Sequence, residues 1–431
     1  MRLNYKRTIL TGLAFMAIYS FWQTYDNIVP LILKNSFGMN EILTGVVMAA
    51  DNILALFLLP LFGTLSDKVN GKWGKRKPFI AIGTLLSVIF IAFMPIGDNG
   101  RNLPLFLGAT GLVLLFMAFF RSPAVALMPD VTPRPLRSKG NAIINLMGTV
   151  GAIYALLMTG ILVGDGKTPD YSALFWSVII FMVISIVIMM VTVNERKWGK
   201  EARELEKQHP ELMQEEEEVP AEGIKRKLSK PKKKSLIFLL FSVAFWYMAY
   251  NAVTSAFSRY ATEVWELENG GYADCLMVAT VAAVISYIPL GFLASKIGRK
   301  KSILLGVLGL FIGFLYVGFF TQYHFMINLG FVLIGISWGA INVNSFPMVV
   351  EIANDGDVGK YTGYYYVFSM AAQILTPVLS GVLLQKVSYS TLFPYSCVFS
   401  VVAFLTMLMV KHGDTRPVAK KSMLENFDID D

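Results

Sequence analysis

Apolar stretches of roughly 20 residues recur along the whole chain, the length at which a helix rising 1.5 Å per residue crosses a ~30 Å hydrocarbon core. They fall at 9–33, 42–64, 78–96, 103–127, 140–162, 172–193, 236–258, 272–294, 302–320, 324–348, 361–385 and 391–410. A bilayer offers the backbone no partners, so only helices or a closed barrel can span it. Barrel strands would alternate over about ten residues, a pattern this sequence lacks. With 55% apolar and 16% charged residues, a soluble domain is excluded. The first stretch is interrupted by Trp22, Gln23 and Asp26 and has no small-residue cleavage site, so it reads as a span rather than a signal peptide. The expected fold is all-α and integral to the membrane, with twelve transmembrane helices in two six-helix bundles.

One long hydrophilic segment, 194–235, divides the spans; it contains Glu215 to Glu218 and a basic run from Lys225 to Lys234. The expected domains are a bundle at 1–193, a charged linker at 194–235, a second bundle at 236–412 and a tail at 413–431. Loops on the side of the N-terminus hold 32 of the 38 Lys and Arg, and the opposite loops hold five: Lys34, Arg101, Lys167, Arg259 and Lys386. The positive-inside rule places both termini and the linker in the cytoplasm of a cell (inner or plasma) membrane. That topology accounts for the net charge of +8, so no nucleic-acid partner is expected. The linker reads as a solvated, flexible charge run, or as a basic segment resting on anionic headgroups. Cys275 and Cys397 lie in or beside apolar stretches and His209, His324 and His412 are scattered. No disulfide framework, metal site, cofactor or catalytic centre follows from them.

The loops after the second and eighth spans share a pattern. The first runs from Gly63 through Asp67 and Lys68 to Gly74, Lys75 and Arg76; the second runs from Gly291 through Ser295 and Lys296 to Gly298 and Arg299. Both read Gly-x-x-x-(Asp/Ser)-Lys, then Gly and a basic cluster. A positive loop alone would explain the cations but not the doubled spacing. Glycine permits close helix approach, the cations hold the loop at the headgroups, and Asp67 can pair with a cation or cap a helix N-terminus.

In this loop and its repeat the chain resembles the major facilitator superfamily. The longer form around Asp67, Trp73 and Pro78, with the segment from Pro123 through Asp130 to Arg137, is similar to the sucrose–proton symporters and to the glycoside–pentoside–hexuronide cation symporter group. The resemblance implies two pseudo-symmetric halves, substrate bound near the midplane, alternating access, and gating roles for Gly63, Asp67, Lys68, Gly74, Arg76, Asp130, Arg137, Gly291, Gly298 and Arg299. Two departures stand out. Where that group carries paired acidic cation ligands in the second span this chain has Ala55 and Leu59 before Pro60, and where sucrose symporters carry an Arg it has Val125, with Arg121 one turn back. The implied cation is therefore the proton rather than sodium.

An ionisable residue inside a span is costly and marks a functional position by default. Asp26, Asp51 and Arg121 stand well inside theirs. Counting from the outer helix ends puts Asp26 roughly 10 Å and Asp51 roughly 14 Å deep, on adjacent helices. Two carboxylates close together in low dielectric share a proton rather than both ionising, so the pair can carry a proton or hold a cation; alternatively the acids face an outer vestibule or cap a helix broken near Pro30. Arg121 can pair with such an acid, contact substrate hydroxyls, or snorkel to the inner headgroups. Tyr19, Trp22, Gln23 and Asp26 share one helical face, as do Tyr247, Tyr250 and Asn251, and Trp338, Asn342 and Ser345. Aromatic rings beside amides and acids suit a polyhydroxylated solute, rings stacking on the apolar face of a sugar and polar groups bonding its hydroxyls; the same groups can also serve as helix–helix polar contacts. Gln373 joins them as a lesser candidate. The expectation is a monomeric symporter for a small polar solute, a sugar or glycoside, driven by protons. A proton-driven exporter of drugs or metabolites and a non-transporting membrane sensor are the alternatives; an enzyme is not expected.

Overall fold

A computed structural model describes residues 3–69, 71–166, 168–208, 229–268, 270–353 and 358–414. Helices are α1 (Tyr5–Leu31), α2 (Glu41–Lys68), α3 (Lys77–Asn99), α4 (Leu103–Val131), α5 (Arg137–Leu162), α6 (Ser172–Thr192), α7 (Glu195–Gln208), α8 (Lys230–Val264), α9 (Tyr272–Ile297), α10 (Arg299–Gly318), α11 (Ile327–Ala353), α12 (Val358–Lys386) and α13 (Leu392–Leu408). Eleven of them are long and apolar enough to cross a membrane. The twelfth long helix, α1, has the length at 27 residues, but Gln23, Asp26, Asn27 and its hydroxyl side chains dilute its apolar character. The chain is thus a multi-pass membrane protein with an all-helical fold. α1 continues through Pro30 and closes on a π-helical turn at Ile32–Ser36, so the helix offered as broken near Pro30 stays continuous past Asp26.

The described residues form two compact units. The first comprises Met1–Gly38, Ala50–Glu218 and Glu268–Gly270; the second comprises Met39–Ala49, Val219–Leu267 and Gly271–Asp431. In the first, α5 packs along α1 so closely that a Cβ at Gly148 would meet the Tyr19 ring at 2.8 Å. Without an aqueous driving force between apolar helices, such small-residue seams let van der Waals contact hold the bundle. α2 and α4 are tied where the Ser122 hydroxyl donates to the Leu59 carbonyl at 2.8 Å, beside Gly63, which has room only for a hydrogen there.

The second unit holds a buried ion pair that corrects the sequence reading. The sequence places Arg259 in an outer loop, but α8 runs on to Val264 and the Arg259 side chain is 2% exposed. Its Nε lies 2.9 Å from Oε2 of Glu41, itself 7% exposed, and the Tyr389 hydroxyl donates to Oε1 of the same carboxylate.

The linker also departs from expectation in its first part. Instead of a flexible run, Glu195–Gln208 is a helix that buries Trp198, Gly199 and Ala202. The Asn194 side chain caps it through the Lys197 N–H at 3.0 Å. The Arg7 guanidinium stacks over Trp198 at 5.0 Å and pairs with Glu201. Glu215 to Glu218 and the start of the basic run, Lys225, Arg226 and Lys227, lie outside the described residues.

Candidate functional site

The signature loop closes on Asp67 and Asp130, both expected from the sequence, and on Glu195, which the motif does not contain. Burial works against the Arg76 charge, yet Asp130 and Asp67 outweigh it and hold the guanidinium above its usual range. Its Nε donates to Asp130 at 2.7 Å, and its other nitrogens bond Asp67 and the Ser66 hydroxyl. Just beyond, the first backbone N–H groups of α3 point out unsatisfied, as at any helix start. Glu195 takes them: Lys75 N–H at 2.5 Å, and Arg76 and Lys77 N–H at 3.1 Å. A carboxylate there also meets the positive end of the helix dipole. The Lys77 ammonium in turn caps the end of α6, donating to the Met190 and Val193 carbonyls at 2.7 and 2.6 Å.

The second unit repeats this construction. Arg299 Nε donates to Glu351 at 2.7 Å, Lys300 N–H to Asp414 at 2.9 Å, and the Lys300 ammonium to the Leu408 and Val410 carbonyls at 3.1 and 2.6 Å. Partner for partner, Arg76 corresponds to Arg299 and Lys77 to Lys300. Gly74 and Gly298 sit at φ +106° and +94°, conformations that L residues adopt only with strain. A Cβ at Gly74 would also collide with the Glu195 carboxylate. Gly74→Ala is expected to destabilise the protein by about 2 kcal/mol, whereas Gly111→Ala, whose added methyl meets nothing, should be neutral or slightly stabilising; thermal unfolding in detergent reads the contrast.

Other expected loop residues stand apart from the clamp. Lys68 is exposed and Gly291 half-buried. Arg137 turns back toward the Thr132 carbonyl at 3.4 Å rather than reaching a carboxylate.

Within the first unit, Asp26, Asp51 and Arg121 fall into one electrostatic group. Asp26 interacts with the charges of both Asp51 and Arg121, Asp51 with Arg121, and the Tyr25 hydroxyl with both acids. Among the described residues Arg121 makes no direct ion pair with either acid. Asp51 is oriented locally: its Oδ1 accepts from the Asn52 N–H at 2.6 Å and the Asn52 amide at 2.8 Å. Beside the acids, Trp22 packs edge-on against Tyr25 at 5.5 Å and 86°. Trp22 Nε1 and the Tyr25 hydroxyl are both buried with no hydrogen-bond partner among the described residues, which leaves two donors open to water or a bound molecule. Sequence reasoning passes over Tyr25, which is fully buried, because it lies off the Tyr19–Trp22–Asp26 face. Tyr19 stacks on Phe15 at 6.4 Å, and Gln23 is half-buried, its carbonyl accepting from Asn27 at 2.8 Å.

Within the second unit, Tyr250 stacks flat on Trp338 at 3.8 Å and 2°, and Tyr247 meets Trp338 edge-on at 5.3 Å. Asn251 Nδ2, next to this corner in sequence, is buried with no partner among the described residues. Asn342 is half-buried. Ser345 pairs with the Tyr365 hydroxyl at 3.0 Å, and Gln373 leans on its own helix at the Ser369 carbonyl, 3.5 Å away; both fit helix contacts better than ligand contacts. No group of three or more His, Cys, Asp or Glu able to hold a metal occurs among the described residues.

The profile of the Major Facilitator Superfamily matches residues 11–273 and 269–426. An isoprimeverose transporter of Lactiplantibacillus pentosus is 22% identical over 289 residues, 64% of this chain and 56% of that protein, so the chain spans only about half the length of this relative. A sucrose transport protein of Arabidopsis thaliana is 27% identical over 137 residues, 27% of this chain and 23% of that protein. Among solved structures, the nucleoside transporter NupG superposes with a TM-score of 0.67 at 14% identity, covering 94% of this chain and 100% of that one; this likeness concerns the fold alone.

Proposed function

Because the chain belongs to the Major Facilitator Superfamily, we propose that it is a secondary active transporter that moves a sugar or glycoside together with a proton by alternating access. The observation that carries the reading is the half-buried group of Asp26, Asp51 and Arg121 beside the donors of Trp22 and Tyr25, which have no hydrogen-bond partner among the described residues. One acid holds the transported proton, Arg121 supplies the opposing charge, and the indole N–H and phenol are satisfied by substrate oxygens. In the second unit, Tyr247, Tyr250, Trp338 and Asn251 offer a flat aromatic corner and an amide donor, a set equally suited to a sugar. The names of the isoprimeverose and sucrose relatives support a sugar. Ala55 and Leu59, which stand where a sodium-coupled relative would need acids, support the proton.

In this reading the protein lies in the plasma or inner membrane with both termini and the linker in the cytoplasm, works as a monomer, and uses its halves, 1–193 and 236–412, as the moving bodies. The test is uptake of labelled pentosides, sucrose and lactose into proteoliposomes under an imposed pH gradient. One-proton symport accumulates its substrate about tenfold per unit of gradient. Asp51→Asn should reduce accumulation to equilibration while leaving sugar counterflow intact. Accumulation that needs sodium, or that survives both Asp26→Asn and Asp51→Asn, would overturn the coupling assignment.

A further inference from the structure

α7 carries four of its five cations on one side, Lys197 standing apart. Arg196, Lys200, Arg203 and Lys207 follow at i, i+4, i+7 and i+11, a single helical stripe, and all four are exposed. Two acids of the helix are engaged elsewhere, Glu201 pairing with Arg7 and Glu206 accepting from the Arg134 N–H at 2.8 Å, while Glu204 is exposed beside the stripe and does not line the cavity. The first three cations of the stripe, with Lys75 of the signature loop, line a cavity of about 290 Å³. Its other walls include Asp130 and Glu195, but Asp130 is bonded to Arg76 and Glu195 to three backbone N–H groups. Among the described residues, no carboxylate forms an ion pair with Lys75, Arg196, Lys200 or Arg203. The cavity therefore carries four cations against two carboxylates that are already engaged, an excess of positive charge.

Its depth identifies the source of that charge. α6 leaves the membrane at Thr192 and α7 begins at Glu195; Lys75 lies just ahead of α3, and Asp130 is in the last turn of α4. The ends of α3, α4 and α6 are ends of helices apolar and long enough to cross a membrane, and α7 starts three residues beyond α6; this is the level of phospholipid headgroups, where basic pockets meet anionic lipid. We propose that this cavity binds the phosphate of an anionic phospholipid headgroup. Since Gly74 and Glu195 form part of the same wall, an occupied cavity braces the capped start of α3 and with it the signature loop.

Native mass spectrometry of the full chain, titrated with phosphatidylglycerol or phosphatidylcholine, tests the assignment. The unaltered protein should retain phosphatidylglycerol in preference to phosphatidylcholine. The variant Arg196→Gln/Lys200→Gln/Arg203→Gln should weaken that retention on the order of a hundredfold, about fivefold for each cation. A charge-conserving variant, Arg196→Lys/Lys200→Arg/Arg203→Lys, should keep it, as should Lys232→Gln/Lys233→Gln/Lys234→Gln, which neutralises the separate basic start of α8. Equal retention of the two lipids by the unaltered protein, or undiminished retention by the Gln variant, overturns the proposal. Displacement of the lipid by millimolar inorganic phosphate would overturn the lipid source and assign the cavity to a soluble phosphate.

Discussion

Glu195→Ala is expected to lower the stability of the protein by about 3 kcal/mol, because one carboxylate satisfies three otherwise orphaned backbone donors. A single capping side chain is ordinarily worth about 1 kcal/mol; here one buried carboxyl group serves three donors, so the contributions add. Glu195→Gln keeps one carbonyl oxygen and should recover about half of the loss. In the second unit Asp414 accepts one N–H from an exposed position, so Asp414→Ala should cost about 1 kcal/mol or less. Thermal unfolding of purified protein in detergent, followed by tryptophan fluorescence, compares the two. Equal effects would mean that capping of α3 does not set the stability of the loop.

Arg259→Ala should be more damaging still, by about 3–5 kcal/mol. Its guanidinium and the Glu41 carboxylate are both buried, and removal of one partner strands the other charge in a low dielectric. Glu41 would keep the hydrogen bond from the Tyr389 hydroxyl but lose the charge that faces it. The double replacement Arg259→Met/Glu41→Met removes both charges and preserves volume, so much of the loss should return. A double-mutant cycle in the same unfolding assay isolates the coupling. If Arg259→Ala and the double variant unfold together, burial rather than pairing governs the site.

The two cases mark where sequence reading succeeds and where it stops. Helices, their membrane character and the repeated loop are legible because they are local: hydropathy over 20 residues and Gly-to-Arg spacing need no long-range information. Asp26, Asp51 and Arg121 are legible for a related reason, since a charge inside an apolar run is conspicuous on energetic grounds alone. Glu195, Glu351 and Asp414 are not, because each sits near charged residues at a span end, where an acid looks like any solvated one. Only the fold brings Glu195 to Lys75, 120 residues away. Arg259 misleads in the opposite sense: a cation just past an apolar run looks like a loop residue, and its burial depends on Glu41, a partner on another helix. Tyr25 is hidden by helical geometry, being off the polar stripe yet coupled to both of its acids.

The lysine caps have a practical consequence for handling the protein. Each unit fastens the start of its third long helix to the end of its sixth, through Lys77 at Val193 and through Lys300 at Val410. The second fastening is completed by Asp414, far along the chain from the helix it serves. Shortening the chain to residue 413 would leave every apolar span intact on paper while removing the carboxylate that secures one of them. Affinity tags and fluorescent fusions therefore belong beyond Asp414, and a linker inserted ahead of it would trade a convenient cloning junction for a loosened bundle.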